Sequence, residues 1–411
     1  MVFGLIAAIM GIVAVVVIGA AALYHALTAS RQEADQDYSP NPVGSPKGEC
    51  PLQKSLKGMV TEVTFKSNIK VSYAKATVPT PHWKLGVDVK DGDGSKRPAV
   101  YLLENKGGSH DLSVKVKITE NKNVSGNGKL IGTLGDLEME GQCPLSVGEH
   151  DVPVKIKKLP ASIKWYHDDV SWGLEVADLG QTITLDNPTR LEVFVILDKP
   201  AAFYDTVGVW TEALRFLCEK VSVVDETTEA GASAKITTYC HGSHGLNYDT
   251  SIGSPVYGCD GTGGTFDLAG YIKKSSGSTV NCYDQAGAIQ SLSGALGVKL
   301  TWYFLRPFGF IQTTNLVGVG SCNNPFYVSN GTTAVIAVDD PRRTGFGNHA
   351  FGGLGGKVHD ACAGPHTGSE TKSQYVGVAI DATKALYTWV GDDKPGTDSD
   401  ITEPRGVTGV T

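Results

Sequence analysis

At 411 residues the chain has room for two or three domains, each large enough for its own core. With 41% hydrophobic and 19% charged residues and 50 glycines, its composition is globular and favours strands and glycine-rich loops over long charged helices. A formal net charge of -7 argues against a nucleic-acid partner, because phosphates require a clustered cationic face; the densest basic run, Lys155, Lys157 and Lys158, alternates with Ile156 like the outer side of a strand.

Residues 2–24 contain no charged side chain and are long enough to cross a bilayer as a helix. No basic residue precedes Arg31, so a retained anchor fits better than a cleaved signal peptide. Residues 1–30 are therefore expected as a transmembrane anchor or uncleaved signal. Residues 31–56, with Ser39-Pro40, Asn41-Pro42 and Ser45-Pro46, are expected as a linker. Arg31 alone favours its own side facing inward, whereas the cysteines favour an oxidising compartment for the bulk of the chain.

From 57 to 200 the signal is strand. Val60–Phe65, Leu112–Ile118, Val152–Ile156 and Leu191–Ile196 carry strand-like patterns separated by turn residues, which predicts an antiparallel β-sandwich. Near residue 203 the period changes. Val207, Trp210, Leu214, Leu217 and Val221 recur at helical spacing, and a second helix is expected from Cys282 to Leu296, stopped by Gly297. Strand-like runs follow at Lys299–Phe304, Ala334–Val338, Lys357–Val358 and Gln374–Ile380. Residues 391–411 are expected as a polar, flexible tail. The fold class is thus α+β, with an N-terminal membrane segment, a β-sandwich and an α+β domain over 201–390.

Cys282 stands where a helix begins, and free N–H groups with partial positive charge at such a terminus stabilise a thiolate and can bind an oxyanion. Downstream, His349 lies in Gly347-Asn348-His349-Ala350-Phe351, and Asp360 follows a glycine turn in Lys357-Val358-His359-Asp360. Two antiparallel strands joined there would set His349 beside Asp360, where a carboxylate fixes the imidazole tautomer.

The order Cys282, His349, Asp360 on helix, strand, strand, with Ala286 after the cysteine and Leu296-Gly297-Val298 ending the helix, resembles the transglutaminase-like superfamily of the papain-like cysteine-enzyme class. The resemblance covers roughly residues 203–390. It implies Cys282 as nucleophile, His349 as general base and acid, and Asp360 as the orienting residue. It also implies a thioester acyl-enzyme formed from a peptide or protein amide and resolved by an amine or water, with no cofactor. Phe351 suits the aromatic that the family places after the histidine, but no second aromatic stands near Asp360 in the strand. Tyr248, Trp210 and Asn281 are the candidates for a second oxyanion donor.

Other motifs point less far. His359 and His366 with His349, or His241 and His244 beside Cys240, are conceivable metal ligands, but neither spacing matches a zinc signature, so no metal is expected. Asp88, Asp91 and Asp93 lack the glycine and closing glutamate of a calcium loop and read as a solvated turn. Asn123 and Asn330 fit the glycosylation pattern. Of the eight cysteines, setting Cys282 aside as nucleophile and Cys218 as a core thiol leaves Cys50–Cys143, Cys240–Cys259 and Cys322–Cys362 as the first pairing to test. The leading expectation is an exported, membrane-anchored cysteine acyltransferase or amidase acting on peptides or proteins. The alternatives are an inactive surface adhesion or scaffold protein and a pilin-like filament subunit.

Overall fold

Alternation of apolar and polar residues builds the first half. In Asp111–Lys122, Leu112, Val114, Val116 and Ile118 are buried while Ser113, Lys115 and Lys117 turn toward solvent. The computed structural model describes residues 53–67, 69–78, 82–87, 97–107, 110–187, 189–381 and 396–411. The expected membrane segment, the linker, Cys50 and the Asp88–Asp93 turn lie outside these. Among the described residues no helix is long and apolar enough to cross a membrane.

The strands of this half are β1 (Ser55–Phe65), β2 (His82–Lys84), β3 (Asp111–Lys122), β4 (Asn127–Leu134), β5 (Leu137–Pro144), β6 (Gly148–Ile156), β7 (Asp169–Val176) and β8 (Gln181–Thr184). They form one sheet in the order β8-β7-β4-β5-β6-β3-β1-β2, with Thr189–Arg190 also paired to β7. Every pairing is antiparallel. Register shifts at Lys57/Gly58 and Val60/Glu62 bend β1, and the sheet curls. A smaller sheet pairs Ala99–Leu102 in parallel with Val193–Ile196, and the latter antiparallel with Lys164–Tyr166. Val193–Ile196 is buried throughout, as an unbroken apolar strand should be.

The second half is mixed α+β. Its helices are α1 (Thr211–Phe216, continued by a π-turn over Leu217–Val221), α2 (Glu229–Thr238), α3 (Cys282–Ala295) and α4 (Lys372–Ala379). Strands β9 (Thr301–Leu305), β10 (His349–Leu354), β11 (Lys357–Asp360), β12 (His366–Thr371) and β13 (Ile401–Thr402) form an antiparallel sheet in the order β12-β11-β10-β9-β13. Gly406–Val410 pairs in parallel with Gly263–Phe266. Helix α3 is buried on nearly every side. Its small residues permit this: a Cβ on Gly287 would meet Phe266 at 2.7 Å, and one on Gly294 would meet Phe203 at 2.6 Å. Residues 53–411 form one compact unit, with a continuous apolar core.

Four expectations are corrected here. The tail expected to be flexible over 391–411 is in part strand, because Ile401–Thr402 pairs with β9 and Gly406–Val410 with Gly263–Phe266, which buries Ile401 and Val407. Residues 374–380 were expected as a strand, but 372–379 are helical, because Thr371 and Gln374 form a reciprocal capping box that starts a helix. Residues 334–338 are turns rather than a strand: the Asn323 side chain donates to the Ile336 carbonyl at 2.8 Å and accepts from the Ile336 N–H at 2.9 Å, taking the place of a neighbouring strand. Of the expected disulfides, Cys240–Cys259 and Cys322–Cys362 do not form, and Cys143, Cys240, Cys259, Cys322 and Cys362 are all free and buried, while Cys50 lies outside the described residues. Cys322 lies on a strand paired to Thr314–Leu316, whose other side bridges to Ala363. Two strand spacings, roughly 9.6 Å, separate those backbones, beyond the reach of a disulfide. Cys240 accepts from Gln285 through its carbonyl, whereas Cys259 packs at Gly287. Two residues along a helix is about 200°, so α3 stands between them.

Candidate active site

The site begins with a helix cap. Asn281 Oδ1 accepts from the N–H groups of Tyr283 at 2.9 Å and Asp284 at 3.1 Å, and Asp284 Oδ2 accepts from the Asn281 N–H at 3.1 Å. This box makes Cys282 the first residue of α3. Asp284 Oδ1 also accepts from the N–H of Tyr257 at 2.8 Å, and Oδ2 from that of Val256 at 3.0 Å, so the preceding loop is tied to the helix start. Burial pushes the Asp284 carboxyl up to about 6, against the opposing pull of these N–H donors. The Asn-x-x-Asp spacing was visible in the sequence and marks this box.

His349 opens β10 opposite Leu305, and the β10–β11 hairpin sets Gly352 opposite His359. By that register Asp360 falls opposite Phe351, and His349 is its diagonal neighbour on the same face. His349 Nε2 lies 2.7 Å from Asp360 Oδ2, with His349 0% and Asp360 1% exposed. Asp360 Oδ1 accepts from the Cys362 N–H at 2.7 Å and the Ala363 N–H at 3.3 Å. Its Oδ2 also accepts from the Tyr375 hydroxyl at 2.7 Å, and the Tyr375 ring lies 4.7 Å from that of Phe351. Tyr375 was missed because it comes from α4, fifteen residues past Asp360, where the strand ends. Its reading as part of a strand hid the contact.

The electrostatics follow from burial and proximity. Burial alone would strip the charge from His349, but the Asp360 carboxylate and then Cys282 outweigh it and raise the imidazole to about 10. Burial likewise opposes ionisation of Asp360, yet His349 and the Cys362 N–H bring it down to about 2. The second ring nitrogen, Nδ1, is buried and has no hydrogen bond of ordinary geometry, with Cys282 as its neighbour in charge. The three residues expected from the sequence are therefore brought together. Cys282 is only 4% exposed.

The oxyanion candidates separate. Asn281 is engaged at both ends, its Nδ2 donating to the Gly253 carbonyl at 2.9 Å. Trp210 pairs through its strand with Ser72 and lines a surface cavity with Ala269 and Ile272, apart from Cys282. Tyr248 is 4% exposed and close enough to Cys282 for that group's charge to help raise its phenol, after burial. The remaining histidines are dispersed. His359 Nδ1 faces Thr237 Oγ1 at 3.3 Å, and burial lowers its pKa to about 4. His366 pairs with Glu370 at 3.3 Å, His241 with the Ala361 carbonyl at 3.2 Å and His244 with the Tyr271 carbonyl at 2.8 Å. Among the described residues no three metal-ligating side chains converge.

No family model and no curated protein matches the sequence. Among solved structures the chain is similar to red sea bream transglutaminase, at 9% identity and a TM-score of 0.34, over 65% of this chain and 49% of that one. The chain thus spans about half the length of that relative.

Proposed function

We propose that the chain is a cysteine acyltransferase or amidase of transglutaminase-like fold, acting on peptide or protein amides. The observation that carries this reading is the fully buried 2.7 Å contact of His349 Nε2 with Asp360, set beside a cysteine that starts a capped helix. In the proposed reaction the Cys282 proton already rests on His349 Nδ1, in keeping with the raised imidazole, and Sγ attacks the amide carbonyl carbon. The C–N bond breaks, the amine leaves with the proton from His349, and a thioester remains. An amine or water, deprotonated by His349, then attacks that carbonyl, the C–S bond breaks, sulfur leaves with the electron pair and the proton stays on His349. The Cys282 N–H has no hydrogen-bond partner among the described residues and is one oxyanion donor; the Tyr248 hydroxyl is the second. Asp360 and Tyr375 act behind His349 as positioning groups. Residues 2–24 anchor the protein in a membrane, with the β-rich half (57–200) and the catalytic half (201–390) outside the cytoplasm.

The near-complete burial of Cys282 favours a second reading, a surface adhesion or scaffold protein that keeps the arrangement without turnover. Iodoacetamide labelling of native protein against pH, read by peptide mass spectrometry, separates the two. Labelling at Cys282 that is slowed at least tenfold by His349→Ala supports the enzyme; labelling indifferent to that change sinks it.

A further inference from the structure

An acyl donor cannot reach Cys282 as the site stands, since the cysteine is 4% exposed and its histidine 0%. Aromatic rings close over the pair. Phe308 lies 5.0 Å and Phe346 5.5 Å from the His349 ring, centroid to centroid. Phe346 in turn packs against Tyr248 at 5.6 Å and Phe326 at 6.1 Å, and Phe326 meets Tyr248 at 6.2 Å. Phe326 and Phe346 belong to the long connection between β9 and β10.

The part of that connection from Asn323 to Phe346 holds only one short helix, Tyr327–Asn330, and otherwise turns. Apart from Phe326 and Phe346, little apolar burial fixes it, for Val328, Val335 and Val338 are 56%, 44% and 42% exposed. Its own side chains hold it by a few polar ties. Asn324 Oδ1 accepts from the Thr344 N–H at 2.8 Å and the Thr344 hydroxyl at 2.7 Å. The guanidinium of Arg343, 1% exposed, donates to Asp381 Oδ2 and to the Ile311 carbonyl, each at 2.7 Å, and to the Asn323 carbonyl at 3.3 Å. A segment with scant apolar burial and a few polar anchors opens more readily than the sheet beneath it.

We infer that residues 323–346 are a cover over the reacting groups, latched to the body by Arg343 on Asp381 and Ile311 and held in shape by the Asn324–Thr344 tie between its two ends, which must lift before an acyl donor enters. The inference rests on Cys282 as the nucleophile. It makes the described form a latent one, with cover opening as a prior equilibrium that scales down the reactivity of Cys282 in the resting protein.

The test is the iodoacetamide rate at Cys282 in the full chain, at neutral pH and below the melting temperature, for wild type, Phe326→Ala, Thr344→Val and Arg343→Met. Arg343→Met removes a buried charge and risks the fold; the other two touch part-buried groups. The expected result is a wild-type rate at least tenfold below that of a free cysteine, and a rise of tenfold or more in each folded variant. A wild-type rate equal to that of free cysteine overturns the cover, as does the absence of any rise in Phe326→Ala and Thr344→Val. Adding His349→Ala to Phe326→Ala keeps the two readings apart. Fast labelling that ignores His349 leaves the cover standing and removes the catalytic pair; fast, His349-dependent labelling in wild type does the reverse.

Discussion

The charge on His349 is decided by two neighbours that overcome its burial, and this has a consequence for stability. An imidazole raised to about 10 in the fold, from an ordinary value near 6.5, stabilises fully below about 6.5 and ceases to do so as pH rises through 10. Asp360, lowered to about 2 from about 3.8, stabilises above about 3.8 and stops as pH falls through 2. The melting-temperature gap between wild type and His349→Ala is therefore expected to be widest between about pH 4 and 6.5 and to shrink toward pH 10; a flat gap across thermal melts counts against the ion pair. The other thiols form an internal control. Burial raises Cys218, Cys240 and Cys259 to about 12, Cys143 and Cys322 to about 11, and Cys362 well above its usual range. These six are expected to stay unlabelled by iodoacetamide at pH 7 in folded protein, and prompt labelling of any of them would show that the interior opens globally.

At the scale of elements, α3 is held at both ends by residues legible in the sequence. Asn281→Ala removes the cap and is expected to cost about 1 kcal/mol, read by thermal or urea unfolding. At the other end Gly297 has φ +88, and a Cβ there would run into the backbone of Asp198. Gly297→Ala therefore combines left-handed strain with a clash and is expected to cost on the order of 3 kcal/mol; a loss under about 1 kcal/mol would mean that the Asp198 loop yields freely. The amphipathic pattern expected from Val207 reads through only from Thr211 to Val221, as α1 and its π-turn, whereas Val209 and Trp210 form a strand paired with Val71 and Ser72. Residues 374–380 did not, because Tyr375, Val376, Val378 and Ala379 suit either period and the Thr371–Gln374 box decides.

Across the whole molecule, Glu192 joins the parts that the chain order keeps apart. It is 2% exposed, accepts from Trp165 Nε1 at 3.0 Å and Arg215 Nε at 2.8 Å, and so ties the small mixed sheet to α1. Glu192→Ala removes the carboxylate that pairs with Arg215, whose side chain is 21% exposed, and about 2–3 kcal/mol of stability is expected to go with it. Because the core is continuous, unfolding is expected to remain a single transition in both tryptophan fluorescence and far-ultraviolet circular dichroism.

By itself the sequence determined what local rules govern: the alternation that makes β3 and β6, the start of α3 at Cys282 and its end at Gly297, and the hairpin that sets His349 diagonal to Asp360. Each depends on residues a few positions apart, where periodicity, capping and turn chemistry act. The tertiary structure alone decided that Tyr375 completes the shell of Asp360, that α3 separates Cys240 from Cys259, and that the rings of Phe308 and Phe346 pack on His349, with Phe326 behind Phe346. Those are contacts between segments far apart in the chain, and they are set by how whole elements pack around a common core rather than by any spacing along it.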